Sequence, residues 1–199
     1  MLTRRAMLGA VGACVLAPRA WASENAALLG RAKAALDRNK RRVTLRDRVM
    51  LADFAQHSSL PRFHLVDLVQ GWTRSYLVAH GKGSDPEHSG YLQRFSNEVG
   101  SLATSSGAYV TGAIYEGQHG SAMRLRGLDA TNSNAEDRAI VIHTARYVGQ
   151  RQIEAFGKLG RSDGCFVVAP DVLPVVLGLL GPWRLLYADG ATADLSRPS

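Results

Sequence analysis

Apolar positions recur at two different periods along this chain, and the period changes near Pro61. Before it, Leu28, Leu29, Ala32, Ala35 and Leu36 repeat at helical spacing, and Val49, Met50 and Phe54 resume after a polar break. The pattern predicts a helical arm over residues 23–60, continuous in character to about Ala55. After it, short runs rich in β-branched and aromatic residues alternate with turns. Strands are expected at Phe63–Leu68, Arg74–Ala79, Ala108–Thr111, Met123–Leu125, Ala139–Ile142, Phe166–Val168 and Trp183–Tyr187. A glycine-rich loop at His80–Pro86 interrupts them. Residues 149–159 read as helix, and Pro170–Asp171 opens a short apolar helix to Leu180. The fold class is therefore mainly β with flanking helices (α+β): an arm, one domain over 61–190, and a tail over 191–199 that frays.

The length of 199 residues suits one domain with a real core, and many of the 20 glycines fall after position 71, where turns are expected. The N-terminus reads as an export signal over residues 1–22. Arg4 and Arg5 precede an apolar run from Ala6 to Ala17, and Ala20-Trp21-Ala22 supplies the small-x-small cleavage pattern. Thr3–Leu8 also resembles a twin-arginine signal, the alternative being a general secretory one. A lipoprotein cleavage at Cys14 fits less well, because the apolar run continues past it. The run is too short for a comfortable bilayer span, so no stable membrane insertion is expected once it is removed. That removal takes Arg4, Arg5 and Arg19 and lowers the net charge from +7 to +4. A modest positive balance fits work beside an anionic polymer and is also common among soluble proteins. Lys40-Arg41-Arg42 is too short to be a nucleic-acid arm, and no nucleic-acid partner is expected.

Loss of Cys14 with the signal leaves Cys165 as the sole thiol in an oxidising compartment, without a disulfide partner. Such a cysteine is either an inert core residue or a reactive one. It lies in Gly160-Arg161-Ser162-Asp163-Gly164-Cys165-Phe166, where glycine permits unusual backbone angles and opens amide groups. Consecutive amides at Asp163, Gly164 and Cys165 suit an oxyanion hole, of which one lost donor costs about 3 kcal/mol in characterised enzymes. Upstream, the strand Ile140-Val141-Ile142 ends in His143-Thr144. His143 is either a satisfied strand-end histidine or the base for a thiol whose unperturbed pKa of ~8.5 leaves it mostly protonated at neutral pH. His80 and His119, each before a glycine, are candidates to line the cleft, position substrate or brace loops, and Tyr109 joins them as a substrate-binding or loop-bracing candidate. A zinc site from His80, His119, His143 and Cys165 lacks any paired-ligand motif, so no metal or other cofactor is expected.

Taken in order, His143, Gly160–Cys165, Val78–Ser84, Phe95-Ser96-Asn97, Thr111-Gly112, His119-Gly120 and Gly127-Leu128 resemble the L,D-transpeptidase catalytic domain, the YkuD-like family, and in particular its murein branch. The likeness runs over roughly residues 62–188. It implies a β-sandwich catalytic domain with Cys165 as nucleophile, His143 as base and the Thr144 carbonyl orienting the imidazole. The amides of Asp163, Gly164 and Cys165 would then meet the oxyanion, with Arg161 and Ser162 bracing the loop or meeting substrate. The implied activity joins peptidoglycan stem peptides, donor and acceptor, through a cysteine thioester in the periplasm or cell-wall compartment. Whether the crosslinks are 3-3 or 1-3 stays open, as does an L,D-carboxypeptidase using the same site. A zinc-dependent wall hydrolase and a non-catalytic wall-binding module are the rival classes. Three departures stand out: Asp163 where many members carry histidine or tryptophan, Phe166 after the cysteine, and a long His143–Cys165 spacing.

Overall fold

The computed structural model describes residues 17–117 and 120–190. The export signal read over residues 1–22 falls largely outside the described residues, and His119 and the tail after 190 lie wholly outside them. A helix α1 (Ala17–Arg38) leads into strands β1 (Arg48–Asp53), β2 (Phe63–Asp67), β3 (Trp72–Tyr76), β4 (Gly107–Gly117), β5 (Gly120–Gly127) and β6 (Val141–Thr144). Then follow α2 (Gln150–Phe156), β7 (Phe166–Val168), α3 (Leu173–Leu180) and β8 (Leu185–Asp189). The strands form one mixed sheet in the order β3-β2-β1-β8-β4-β5-β6-β7. No described helix is long and apolar enough to cross a membrane.

One element differs from the sequence reading. The helix ends at Arg38, and the residues expected to continue it, Val49 and Met50, lie in strand β1, antiparallel to β2 and parallel to β8. Their burial explains the misreading. Met50 and Ala52 face the main core, while Val49 and Leu51 face the cluster built by Leu28, Ala32, Ala35 and Leu36 of α1. A strand covered on both faces shows a continuous apolar run without alternation, and such a run cannot be told from a buried helix by period. The helix is thus packed onto the sheet rather than held away from it. Arg31 fixes it there: its guanidinium donates to Asp53 Oδ2 at 2.6 Å and Asp189 Oδ1 at 2.9 Å, the paired last residues of β1 and β8.

The sheet curls until its ends face each other. Five strands separate β2 from β7, so in a flat sheet Phe63 and Phe166 would lie on the order of 29 Å apart at about 4.8 Å per strand. Their ring centroids are 6.2 Å apart, and Phe166 also meets Phe54 at 5.9 Å and Tyr109 at 5.5 Å. This aromatic cluster, closed beneath by Leu173, Val176 and Leu180 of α3, is the inside of the sandwich. Beyond β3 the chain crosses to the other edge, where Ala79 N–H donates to Val167 O at 2.9 Å and Val167 N–H returns to Ala79 O at 3.4 Å. Replacing Phe63 by alanine should therefore cost about 3–5 kcal/mol in denaturant unfolding, and replacing it by leucine much less. An unchanged unfolding midpoint for Phe63→Ala would mean that the ring contacts do not hold the two ends of the sheet together.

Candidate active site

The site grows from the pairing of β6 with β7. These strands are parallel, with Ile142 opposite Phe166, His143 opposite Val167 and Thr144 opposite Val168. Parallel neighbours need a crossover of a dozen or more residues, and here it is the segment containing α2. The long spacing between His143 and Cys165 is that crossover. Side chains alternate along each strand, so Ile142, Phe166 and Val168 enter the main core. His143, Val167 and, one step before the strand, Cys165 share the opposite face. Val167 packs there with Ala79, Val148 and Leu159, and Cys165 against them.

His143 and Cys165 line one cleft of about 490 Å³, together with Lys82, Arg138, Ala139, Thr144, Tyr147, Arg161, Ser162 and Asp163. The Nδ1–H of His143 donates to the Thr144 carbonyl at 3.0 Å, which leaves the ring's basic lone pair on Nε2. Thr144 is itself held by its hydroxyl, which donates to Val168 O at 3.1 Å. The thiol of Cys165, partly exposed, donates to Ala139 O at 3.5 Å, from a residue with φ of 50° that few side chains tolerate. Burial pushes the Cys165 thiol above its ordinary value, and the Asp163 carboxylate adds to this; a backbone hydrogen bond at Val141 and the charge of Arg138 pull the other way without prevailing. The balance favours the protonated thiol over the thiolate at rest. Tyr147, on the same wall, is held neutral, its phenol pushed up to about 12, chiefly by burial.

The turn carrying the thiol is tightly braced. Ser162 Oγ donates to Cys165 O at 2.7 Å and accepts the Gly164 amide at 3.2 Å. Of the three amides expected to be open, Gly164's is therefore already engaged, while those of Asp163 and Cys165 have no partner among the described residues. Gly164 has φ of 121°, and a Cβ there would lie 2.8 Å from Ala103 O, so the turn admits no other residue without strain. Ser162 N–H donates to His80 O at 2.9 Å, and Lys82 N–H to Ser162 O at 2.7 Å. Arg161, which also lines the cleft, is tied to the neighbouring loop: its Nη1 donates to the carbonyls of Asp85 and, at 3.0 Å, Pro86. Asp163 turns its carboxylate to Lys82 Nζ at 3.0 Å.

Two sequence candidates stand away from the cleft. Tyr109 is fully buried and its hydroxyl donates to Ser105 O at 2.8 Å, so it holds a loop and is closed to substrate. His80 is also buried. Arg62 Nη2 donates to its Nδ1 at 2.7 Å, which puts the proton on Nε2, 3.5 Å from Asp85 Oδ2. Burial first, then the Arg62 charge, depress His80 to about 3, so the ring is a neutral spacer. Burial also brings Arg62 down to about 9. For Asp85, burial acts upward, but the amides of Ser89 and Gly90 outweigh it and the carboxyl is lowered. Among the described residues no three His, Cys, Asp or Glu side chains gather in a metal-binding group.

Sequence reasoning missed Arg62, Asp85 and Arg138. Arg138 donates to Ser96 O and Ser105 Oγ, both at 2.7 Å, and to Ala103 O, tying the 96–105 loop beside the Cys165 turn. A lone cation just before an apolar run, as with Arg62 before Phe63 and Arg138 before Ile140, is the one local signal the two arginines carry.

The chain is similar to an L,D-transpeptidase from Mycobacterium smegmatis at 13% identity over 72% of this chain and 58% of that one, with a TM-score of 0.44. It is similar to an L,D-transpeptidase from Mycobacterium tuberculosis H37Rv at 13% identity over 72% and 57% of the two chains, with a TM-score of 0.46. The chain thus spans less than two thirds of the length of these solved proteins. No curated protein matches it. The family model of the L,D-transpeptidase catalytic domain matches residues 22–188. With nearly all of its described part inside that match, the chain belongs to the L,D-transpeptidase catalytic domain family.

Proposed function

We propose that this protein is a peptidoglycan L,D-transpeptidase that joins two stem peptides through a thioester on Cys165, working outside the cytoplasmic membrane after its signal is removed. The observation that carries the reading is the shared outward face of β6 and β7, which puts His143 and Cys165 in one cleft with the imidazole's Nδ1 tied to Thr144. Because the resting sulfur is a thiol, it is not a standing thiolate that attacks. Proton transfer to His143 Nε2 accompanies attack of Sγ on a donor carbonyl. The amides of Asp163 and Cys165 meet the oxyanion, and Gly164 contributes its backbone angle. His143 then gives the proton to the departing amine. An acceptor amine attacks the thioester, the C–S bond breaks and the thiol is regenerated. Water in place of the amine makes the same site a carboxypeptidase. The crosslink formed, 3-3 or 1-3, is set by which donor carbonyl the cleft presents to Cys165.

Cys165→Ala should lower crosslink formation by about 10⁴-fold or more while leaving thermal unfolding unchanged, as for loss of a nucleophile elsewhere. Mass spectrometry of muropeptides incubated with the purified variant reads this, and undiminished crosslinking would reject the proposal. Protonation gives a second expectation. With the thiol's pKa raised, alkylation of Cys165 by iodoacetamide should be slow at neutral pH and climb through the alkaline range. Asp163→Asn removes a negative neighbour and favours the thiolate, so its labelling curve should shift to lower pH. A shift to higher pH would contradict the sign assigned to that carboxylate.

A further inference from the structure

Among the described residues three cations line the cleft beside Cys165, and two are committed to the protein. Arg138 is tied to Ser96, Ala103 and Ser105, and Arg161 to the carbonyls of Asp85 and Pro86. Lys82 is different. Among the described residues its ammonium has one partner, Asp163 Oδ1 at 3.0 Å, and the two side chains are 53% and 65% exposed. Exposed ion pairs of this kind contribute little stability and open readily. Their backbones, in contrast, are held. Lys82 N–H donates to Ser162 O at 2.7 Å, and the preceding Gly81 lies so close to the nucleophile turn that a Cβ there would be 2.8 Å from Gly164 Cα. A positive and a negative side chain therefore stand at fixed stations on the cleft wall, the negative one two residues before the sulfur, and neither braces the fold.

A molecule that offers an ammonium to Asp163 and a carboxylate to Lys82 replaces one exposed ion pair by two. An α-amino-acid centre, with both groups on one carbon, has that shape. Resting on the transpeptidase reading above, we propose that Lys82 and Asp163 form an acceptor clamp selecting amines that carry a carboxylate on the adjacent carbon. The bound ammonium loses one proton to solvent and becomes the nucleophile. His143 takes a second proton as the N–C bond to the thioester carbon forms, and passes it to sulfur as the C–S bond breaks. The products are the amide and the thiol.

The test uses the purified protein with muropeptide donors and two pairs of probe acceptors: glycine against methylamine, and alanine against ethylamine. Comparing each variant with the unaltered protein cancels the intrinsic difference between the amines. Lys82→Met should raise KM for glycine and alanine about tenfold, as expected for a lost charge-assisted contact, and move KM for the plain amines less than twofold. Lys82→Arg, which keeps the charge, should recover most of the discrimination. Equal effects on both kinds of acceptor, or none on either, overturn the clamp and leave Lys82–Asp163 a surface ion pair. Intact-mass analysis before any acceptor is added separates the two failures. If no acyl-enzyme forms on Cys165, the transpeptidase reading falls and takes the clamp with it; if it forms and acceptors are not discriminated, the clamp alone falls.

Discussion

Everything in the cleft depends on a parallel pairing only three residues long. Antiparallel neighbours can be joined by a tight hairpin, but β6 and β7 run the same way and need the intervening crossover. That crossover brings a histidine and a cysteine far apart in sequence onto one face. So short a ladder would be weak alone, since each backbone hydrogen bond contributes about 1 kcal/mol net. It is reinforced from the side by the chain after β3, which bonds to Val167 through Ala79 and to Ser162 through His80 and Lys82. The segment that closes the curled sheet is the same one that holds the Cys165 turn, so closure of the fold and the shape of the site share one set of contacts.

Beneath that seam lies a buried polar frame. Arg62 is fully buried, yet its guanidinium donates to Val78 O at 3.2 and 3.1 Å, to Gln56 O at 2.7 Å and to His80, and lies over the Phe54 ring at 4.9 Å. A buried charge is tolerable only when surrounded in this way. Asp85, also buried, accepts three hydrogen bonds from Ser89 and Gly90. Between the two ions stands His80, kept neutral, whose carbonyl receives the Ser162 amide. Since its ring resists protonation down to about 3, the frame does not change charge at the histidine as pH moves through the ordinary range. His80 and Arg161, expected to bind substrate or brace loops, both make contacts within this frame.

Legibility in the sequence followed local signal. The strands flanked by turns, the two late helices and the Gly164-Cys165 turn are visible because alternation, proline and glycine mark them. Strand parity alone puts Cys165 and His143 opposite the faces of Phe166 and Ile142, so the site's outward face was readable too. What was not readable is non-local. β1 hid as a helix because both its faces are covered, and the sheet order, with β1 beside β8, leaves no trace in either segment. Arg62 and Arg138 acquire their roles from segments 16 to 42 residues away, as with Arg62 to Val78 and Arg138 to Ser96. Nor does sequence reveal that Gly164's amide is taken by Ser162, a contact two residues apart whose geometry depends on a positive φ.

The protonated state of the thiol follows from the same packing, and it bears on how the proposed chemistry survives outside the cell. Burial and Asp163 both favour the neutral sulfur, while Arg138 opposes them without prevailing. Oxidation and adventitious alkylation attack the thiolate, so a sulfur kept protonated at rest is a poor target for both. In the proposed chemistry, reactivity comes from the encounter: a carbonyl seated against the turn, with His143 accepting the proton, makes the sulfur nucleophilic. A permanently ionised cysteine would gain rate with any electrophile. A protonated thiol beside an oriented imidazole would gain it with the one that fits the cleft.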